Sequence, residues 1–484
     1  MRQRQVLVAV ATVAAVWSAG PLAVAWAAGG EGAIPAGRGA AASAAAPVGK
    51  AIAVPGLAAL NKRGNAKVAS VSCASAGNCA AAGHYTNRAG QQGFVASERR
   101  GHWGRAIAVR GLAALNTAGG ADVVSASCAS PGFCAAGGFY SYGGVSFFRT
   151  KAFVVSEHAG RWGSAVALPT GDGAVSSVSC PSARNCVAGG NTGADYTSNH
   201  NAFVVQERAG HWGSLRPVMR GLKHLYSWVS SVACPSAGNC AVAGGYVSQS
   251  GQQGFVVTER NGVWGTAIEV PGLAALNAGG NANVVSVSCG AAGSCTAGGN
   301  YVDGAGHFQA FVATERGGAW ANAIEVPGLA GLNKGSRAAV NAVSCGSAAS
   351  CAAVGAFTDA AGKRQGFVAT ERNGVWGNAI KVPGLASLNT GGNSQVQTVS
   401  CASAGGCAVG GFYSDRSHHH RGFVASEHKG VWGKAVGVPG LGALNTGAFA
   451  AVSSISCATP GHCAAGGFYR DRSHHRQGFV TRDG

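Results

Sequence analysis

Eight segments of this chain are built on one pattern: an SC-x5-C pair, a Gly-Gly-aromatic run, a GFV-x-x-E run, a Trp-Gly and a PGL-x-x-LN tail, in that order. The segment from Val396 to Asn445, VQTVSCASAGGCAVGGFYSDRSHHHRGFVASEHKGVWGKAVGVPGLGALN, shows the pattern in full. Measured on the first cysteine of each pair (Cys73, Cys128, Cys180, Cys234, Cys289, Cys345, Cys401 and Cys457), the period steps by 52 to 56 residues. That exceeds the helical repeats and lies nearest the range of propeller blades, four-stranded sheets set radially around an axis.

Each unit also reads as four strands. Gln395 to Cys401 and Cys407 to Tyr413, separated by turn residues, are strands a and b. Their Ala, Ser, Val and Gly content suits strands crowded near an axis. A polar tip, SDRSHHHR, precedes GFVASE as strand c and VWGKAVGV as strand d. In a sister unit Trp264, Ile268 and Val270 share one parity while Ala267 and Glu269 take the other, the period of a strand with one buried face. Trp264 is therefore expected to pack, and no helix is expected in the unit. With 79 glycines and 11% charged residues among 484, the composition agrees with many tight turns.

The ends of the array predict how it closes. The eighth unit stops at GFVTRDG and lacks its Trp-Gly strand, whereas Val48 to Asn61, VGKAIAVPGLAALN, matches the second half of a unit, as in WGTAIEVPGLAALN from Trp264 to Asn277. Pairing the two termini in one blade would remove two exposed strand edges. The expected fold is an all-β, eight-bladed β-propeller over residues 48–484, its ring closed by the N-terminal strand, with Val48 where other units have Trp.

Ahead of the array, Arg2 and Arg4 precede an apolar run, and Ala25-Trp26-Ala27 offers a small-x-small cleavage site. Residues 1–27 read as a secretory signal peptide and 28–47 as an Ala/Gly-rich linker. An uncleaved membrane anchor is the alternative; Gly20 and Pro21 interrupt the run and favour cleavage. No other stretch is long and apolar enough to span a membrane, so the expected location is extracellular or cell-wall associated.

Cysteine usage agrees with export. All 16 cysteines fall in C-x5-C pairs: Cys73 with Cys79, Cys128 with Cys134, Cys180 with Cys186, Cys234 with Cys240, Cys289 with Cys295, Cys345 with Cys351, Cys401 with Cys407 and Cys457 with Cys463. An even count in an exported chain points to disulfides. Zinc sites use shorter spacings and gather a second pair or histidines, which these isolated pairs do not. Each pair is expected to pin its own a-b hairpin, where facing Cα atoms lie roughly 4.5 to 5.5 Å apart.

The run VSCASAGNCAAAGHY and its sisters, each followed by a single Trp, resembles the cysteine-paired propeller-like repeats of many secreted proteins of high-GC Gram-positive bacteria, from about Val48 to the end. More loosely the unit is similar to blades of sialidase-type and photosystem-assembly propellers, although their S-x-D-x-G-x-T-W box is absent. The resemblance implies the fold and export, and no activity.

Motifs of chemistry are scarce. The chain has no G-x-S-x-G, P-loop, H-E-x-x-H or G-x-G-x-x-G. Glu98, Glu157, Glu207, Glu259, Glu315, Glu371 and Glu427 recur once per unit, with Asp483 near that place in the last, and repetition points to a structural role. Asp303, Asp359, Asp415 and Asp471 sit in b-c tips, where Asp favours turns, with calcium as the alternative. His418, His419 and His420, with His474 and His475, crowd two neighbouring tips; consecutive imidazoles need not converge on a metal. No metal and no cofactor are expected.

Function is sought in what breaks the repeat. In unit two the tip YSYGGVSFFRTK carries Tyr140, Tyr142, Phe147, Phe148, Arg149 and Lys151, and the LPTGDGA connection that follows is short. In unit three RPVMRGLKHLYSWV replaces the usual tail and brings Arg220, Lys223, His224, Tyr226 and Trp228. Loops b-c and d-a of a propeller share one face, so these nine residues (Tyr140, Tyr142, Arg149, Lys151, Arg220, Lys223, His224, Tyr226 and Trp228) form the expected ligand-binding set; local packing after repeat decay is the other reading. The net charge of +18, or +16 once Arg2 and Arg4 leave with the leader, draws polyanions. The expected partner is a polyanionic glycan or cell-wall polymer; nothing resembles a dedicated nucleic-acid module. The favoured expectation is a monomeric, non-enzymatic propeller. A secreted glycan-active hydrolase or lyase is the alternative, with Asp172 and Asp195 the non-repeated acids near the irregular loops.

Overall fold

The computed structural model describes residues 48–143, 149–193 and 201–481; the signal-peptide and linker segments, Phe147, Phe148, Asp195 and Asp483 lie outside the described residues. Eight small antiparallel sheets follow one another along the chain, each built in the order a-b-c-d. Blade 7 is representative, with strand a at Ser394–Ser403, strand b at Gly406–Ser414 and strand c at His420–His428. Strand a packs against strand a of both neighbouring blades, including blade 1 against blade 8. The result is the expected eight-bladed ring with strand a innermost.

Closure follows the expected pairing. Ala51, Ile52 and Ala53 pair with Thr481, Val480 and Phe479, and the Val54 amide donates to the Gly478 carbonyl at 3.1 Å. Blade 8 is thus completed by the chain's other end. Val48 is buried and packs against the closing blade, in the place taken elsewhere by tryptophan.

Two expectations need correction. Strand d is not continuous: in blade 7 it consists of Val431–Trp432 and Val436–Gly437, both paired with strand c, and the Gly433 amide between them turns in to the Ser426 carbonyl at 2.8 Å. The tail is not helix-free either. PGL-x-x-LN forms one helical turn, as at Leu441–Leu444, entered through Gly440 at φ 76°, a left-handed conformation that favours glycine. A single turn lacks the length that makes helical periodicity visible in sequence. Leu441 is buried between blades 7 and 8, and Asn445 stitches them: its Nδ2 donates to the His420 carbonyl at 3.2 Å, and its Oδ1 accepts the Phe449 and Arg470 amides at 2.8 and 3.3 Å. That explains the recurrent LN.

All eight cysteine pairs form disulfides within their own a-b hairpins, with Cα atoms 3.9 to 4.1 Å apart, closer than expected for facing strand positions. The loop-entropy model assigns each seven-residue ring about 2 kcal/mol. Eight disulfides suit an oxidising compartment. No helix among the described residues is long and apolar enough to cross a membrane.

Strand a carries a bulge in every blade, which in blade 7 leaves Gln397 as the extra residue between Val396 and Thr398. Opposite it stands the glycine four places after the second cysteine. A Cβ on Gly411 would lie 2.0 Å from the Gln395 carbonyl oxygen, and the equivalent glycines of the other blades meet the same obstruction at 1.9 to 2.0 Å. Bulge and glycine therefore come together.

Two belts of side-chain hydrogen bonds join the blades. Near the axis, serines of S-x-S-C accept amides from strand a of the next blade: Ser70 and Ser72 from Ala126 and Cys128, and Ser454 and Ser456 from Val71 and Cys73 across the closure. At the perimeter, the strand-c glutamates are almost wholly buried and reach back to the preceding blade. Glu157 accepts Ser97 Oγ at 2.8 Å, and Glu427 accepts Arg372 at 3.3 Å. In five blades the tryptophan indole bonds the strand-c Ser or Thr of the preceding blade, as Trp162 Nε1 to Ser97 Oγ at 2.9 Å. The repeated glutamates are interblade ties, which explains their recurrence.

Three outcomes test this frame. Deleting residues 48–57 lowers the melting temperature at least about 3 °C more than deleting 28–47; equal melting temperatures would remove the case for closure. Gly411→Ala destabilises by about 3 kcal/mol, the upper range of overpacking, whereas Gly442→Ala, in a helical turn with open space around its Cβ, leaves stability unchanged or improves it by up to about 1 kcal/mol; urea midpoints decide. Finally, burial pushes the carboxyl of Glu371 above the ordinary value near 4.5 despite the Arg316 charge beside it. A raised folded-state pKa contributes stability that is full below pH 4.5 and lost as pH rises through the folded value. Between pH 4.5 and 7 the native chain should therefore lose stability relative to Glu371→Gln; a gap independent of pH contradicts this.

Candidate functional site

Strand register places the b-c tips, the d-a connections and the beginning of strand a on one face, opposite the disulfide hairpins. The two kinds of loop are hydrogen-bonded there, as in the Gln91 amide to the Gly119 carbonyl at 2.8 Å. The irregular segments of units two and three accordingly share a face, although they make two separate groups on it.

The first group surrounds Asp172, which the shortened connection from blade 2 to blade 3 presents. Strand b of blade 2 (Phe133–Tyr142) and strand c (Arg149–His158) pair Tyr142 opposite Arg149. The Tyr142 hydroxyl donates to Asp172 Oδ1 at 2.9 Å, and Arg149 Nε lies 3.5 Å from Oδ2. The Asp172 side chain is only 8% exposed, while Arg149 keeps 56% of its surface in solvent. Lys151 Nζ sits 4.4 Å from the centroid of the Tyr142 ring. Burial, reinforced by the bond to Asp172, pushes the Tyr142 hydroxyl above its usual range, so it remains a donor at neutral pH. A carboxylate bracketed by a phenol and a guanidinium orders both outward-facing side chains.

Tyr140 does not belong to this surface. It is 4% exposed and packed in the core, at the position taken in other blades by Tyr85, Tyr246 and Tyr301. Tyr142, two residues on and on the same face of the strand, lies nearer the tip and is only partly buried against the same cluster. The irregular look of the YSY run concealed a regular core residue.

The second group is carried by the loop leading into strand a of blade 4 (Tyr226–Ser236). Here the helical turn is missing. His224 holds the loop in its place, with Nδ1 3.0 Å from the Leu222 carbonyl and Nε2 3.0 Å from Asn201 Oδ1 on blade 3. Tyr226 and Trp228 stack with centroids 6.1 Å apart and planes 26° from parallel. Trp228 can lie flat because its cross-strand partner is Gly245: a Cβ there would lie 2.3 Å from the indole. Arg220 and Lys223 are exposed, and the Arg220 carbonyl accepts the Ala267 amide at 2.8 Å, the backbone bond that Pro271 makes in the regular tail. Sequence reading missed Asn201 and Gly245; Gly245 stands in the column of His84, Asn300 and Phe412, which column-by-column comparison of the units would have exposed.

The acidic and histidine-rich tips have other roles. Asp415 Oδ1 accepts the amides of Ser417 and His419, and Oδ2 takes Arg421 Nε, each at 3.0 Å; Asp303, Asp359 and Asp471 repeat the arrangement with a glutamine in place of Arg421. These carboxylates build their own tips. His418 and His419 are exposed, whereas His420 turns into strand c and is half-buried between Phe412 and Phe449. Among the described residues no three His, Cys, Asp or Glu side chains are grouped to hold a metal ion.

No protein-family model matches the chain, and no curated protein does. Solved structures share its architecture at low identity. Sqt1 from Chaetomium thermophilum aligns over 91% of this chain and 100% of its own, with 10% identity and a TM-score of 0.50. A polysaccharide lyase of family PL25, an ulvan lyase, covers 90% and 94% with 10% identity and a TM-score of 0.42. The GH74 xyloglucanase of Xanthomonas campestris covers 90% of this chain and 68% of its own, with 12% identity and a TM-score of 0.40. At these identities the likeness is one of fold: the chain is a β-propeller.

Proposed function

We propose that this protein is an exported, non-enzymatic propeller that binds an anionic glycan or cell-envelope polymer on the face carrying the b-c and d-a loops. The observation behind this reading is that side chains departing from the repeat on blades 2 to 4 are ordered and partly exposed. Tyr142, Arg149 and Lys151 are organised around Asp172, and a stacked Tyr226–Trp228 pair is flanked by exposed Arg220 and Lys223. Aromatic faces offer apolar surface to sugar rings, and guanidinium and ammonium groups make charge-assisted hydrogen bonds to acidic substituents. The net charge of +18 adds long-range attraction for a polyanion. Eight disulfides and a candidate leader over residues 1–27 support an extracellular or cell-wall location. The binding reading is favoured over a glycan hydrolase because both Asp172 oxygens are engaged by Tyr142 and Arg149, leaving neither poised for acid–base work.

The test is cosedimentation with bacterial cell walls, before and after extraction of their anionic polymers, paired with an assay for released product. Trp228→Ala, Tyr226→Ala and Arg149→Ala should each weaken binding by about 1–2 kcal/mol, roughly five- to thirtyfold, at unchanged melting temperature. Lys381→Ala, exposed in the regular strand d of blade 6, should leave binding unaltered. Arg149→Ala should also lower the salt sensitivity, since an exposed charge is screened within about 8 Å at physiological ionic strength. If all four variants bind alike, blades 2 to 4 do not form the binding face; release of soluble sugar by the native chain would favour an enzyme.

A further inference from the structure

On the same face, the repeat is broken a second time from blade 7 through blade 8 to blades 1 and 2. Where the beginning of strand c meets the approach to strand a of the next blade, other units bring together Gln252 with Asn281, Phe308 with Arg337 or Arg364 with Asn393; at blades 7 and 8 both partners carry rings, His420 with Phe449. These two rings belong to a column. His420 lies 4.8 Å from Phe412 and 4.6 Å from Phe449, both stacked within 23°, and Phe449 lies 5.6 Å from Phe468. Burial pushes the His420 imidazole below its usual value, so near neutral pH the column carries no charge of its own. Phe412, His420 and Phe449 are each partly exposed.

The column ends under cations. Arg476 Cζ sits 3.9 Å from the Phe468 centroid, and Arg470 Cζ lies 5.0 Å from that of Phe449. Backbone bonds anchor Arg476 to the entry loop of blade 1: its amide donates to the Gly64 carbonyl at 2.7 Å, and its carbonyl accepts the Ala66 amide at 2.9 Å. One residue on, at the start of the innermost strand, stands Lys67. Its cross-strand partner His84 places Nδ1 2.9 Å from Oδ2 of Asp122 on blade 2. Burial, then the neighbouring charge of Arg476, pushes the Lys67 ammonium down, and burial takes Arg476 to about 10.

Two crowded cations thus face one carboxylate, and that carboxylate is already engaged by His84. Hydrogen bonding within the cluster is also incomplete. His84, 7% exposed, has no partner for Nε2, and the buried Arg476 Nε and Asp122 Oδ1 lack partners as well. Leaving such groups unsatisfied is costly, and each calls for an explanation such as a bound water, an ion or a ligand.

We infer that this arc is an acidic-sugar subsite, in which the Phe412–His420–Phe449 column takes a pyranose ring and Arg476 with Lys67 takes its carboxylate or sulfate. Aromatic faces and cations occur side by side here, as a sugar ring bearing an anionic group requires. The His84–Asp122 pair lies beside Lys67 at the inner end of the cluster. Blade 8 stands opposite blade 4 in an eight-blade ring, so this subsite is distinct from the Tyr226–Trp228 pair; it shares the ligand class of the proposed function and rests on that reading for its biological polymer.

Short defined probes test it: a galacturonic acid trimer for carboxylate, a sulfated dextran oligosaccharide for sulfate, and neutral dextran as control, each titrated calorimetrically into the full chain. Arg476→Met and Phe449→Leu should each weaken at least one anionic probe tenfold or more, while neutral dextran stays unchanged and Trp228→Ala stays within twofold. Loss confined to galacturonate assigns a carboxylate, and loss confined to sulfated dextran assigns a sulfate ester. Affinities of both variants within twofold of the native chain overturn the inference, as does failure of both anionic probes to bind the native chain. Should both variants melt early, the imidazole nitrogen signals of the native chain decide: the Nε2 resonance of His84, assigned by its loss in His84→Gln, should shift on adding the probe, and an unmoved signal overturns the subsite. Cell-wall binding that is lost in Arg476→Met but kept in Trp228→Ala and Arg149→Ala would refute the blade 2–4 face and leave this subsite standing.

Discussion

The ring depends on the unpaired edge of strand a. Each innermost strand pairs with strand b on one side only, so alternate amides on the axial side would be orphaned in a crowded interior. The hydroxyls of S-x-S-C from the preceding blade receive them, as Ser286 and Ser288 receive Val343 and Cys345, and Ser177 and Ser179 receive Val232 and Cys234. Where the motif varies the contact adapts: Thr398 replaces a serine and still accepts the Ile455 amide at 3.2 Å. One short motif thus satisfies the exposed edge and sets the spacing of neighbouring blades.

Everything further out follows from that spacing. The strand-a bulge, the glycine that accommodates it and the cysteine pair shape the hairpin, while Leu of the tail plugs the gap to the next blade and Asn closes it with three hydrogen bonds. At the perimeter the buried Glu, the preceding Ser or Thr and the Trp indole form a second belt. A carboxylate is tolerated there because donors from the adjacent blade meet it as burial removes water. The scaffold consumes its repeated polar residues in holding blades together, so chemistry towards a ligand falls to residues that depart from the repeat.

Those departures cluster on the face of the b-c and d-a loops. On blades 2 to 4 a carboxylate, a phenol and a guanidinium order one another, and a glycine lets an indole lie flat. On blades 7 to 2 an aromatic column runs into two cations and a His–Asp pair at the beginning of the innermost strands. In the blades between them the innermost strands begin with small or amide side chains, Asn283, Ala339 and Gln395, where blades 1 and 2 have Lys67 and Asp122. On the proposed reading, two dissimilar patches on one ring would let an extended polymer be held at more than one point.

The sequence by itself determined the fold, the blade count, the ring closure and the cysteine partners, because each rests on local order repeated at a fixed period: a missing strand at one end and its match at the other leave one economical arrangement. It also singled out Arg149, Tyr226 and Trp228 as departures from that period. Tertiary structure decided what periodicity does not encode. Depth along the strand put Tyr140 in the core and left Tyr142, on the same face, at the rim, and a tail too short to show helical periodicity wound into a turn. Glu157 and Ser97, distant in sequence, became partners because consecutive blades face each other. The meeting of Arg476, Lys67, His84 and Asp122 was illegible for the same reason: they come from three blades and both ends of the chain, and only closure of the ring brings them together.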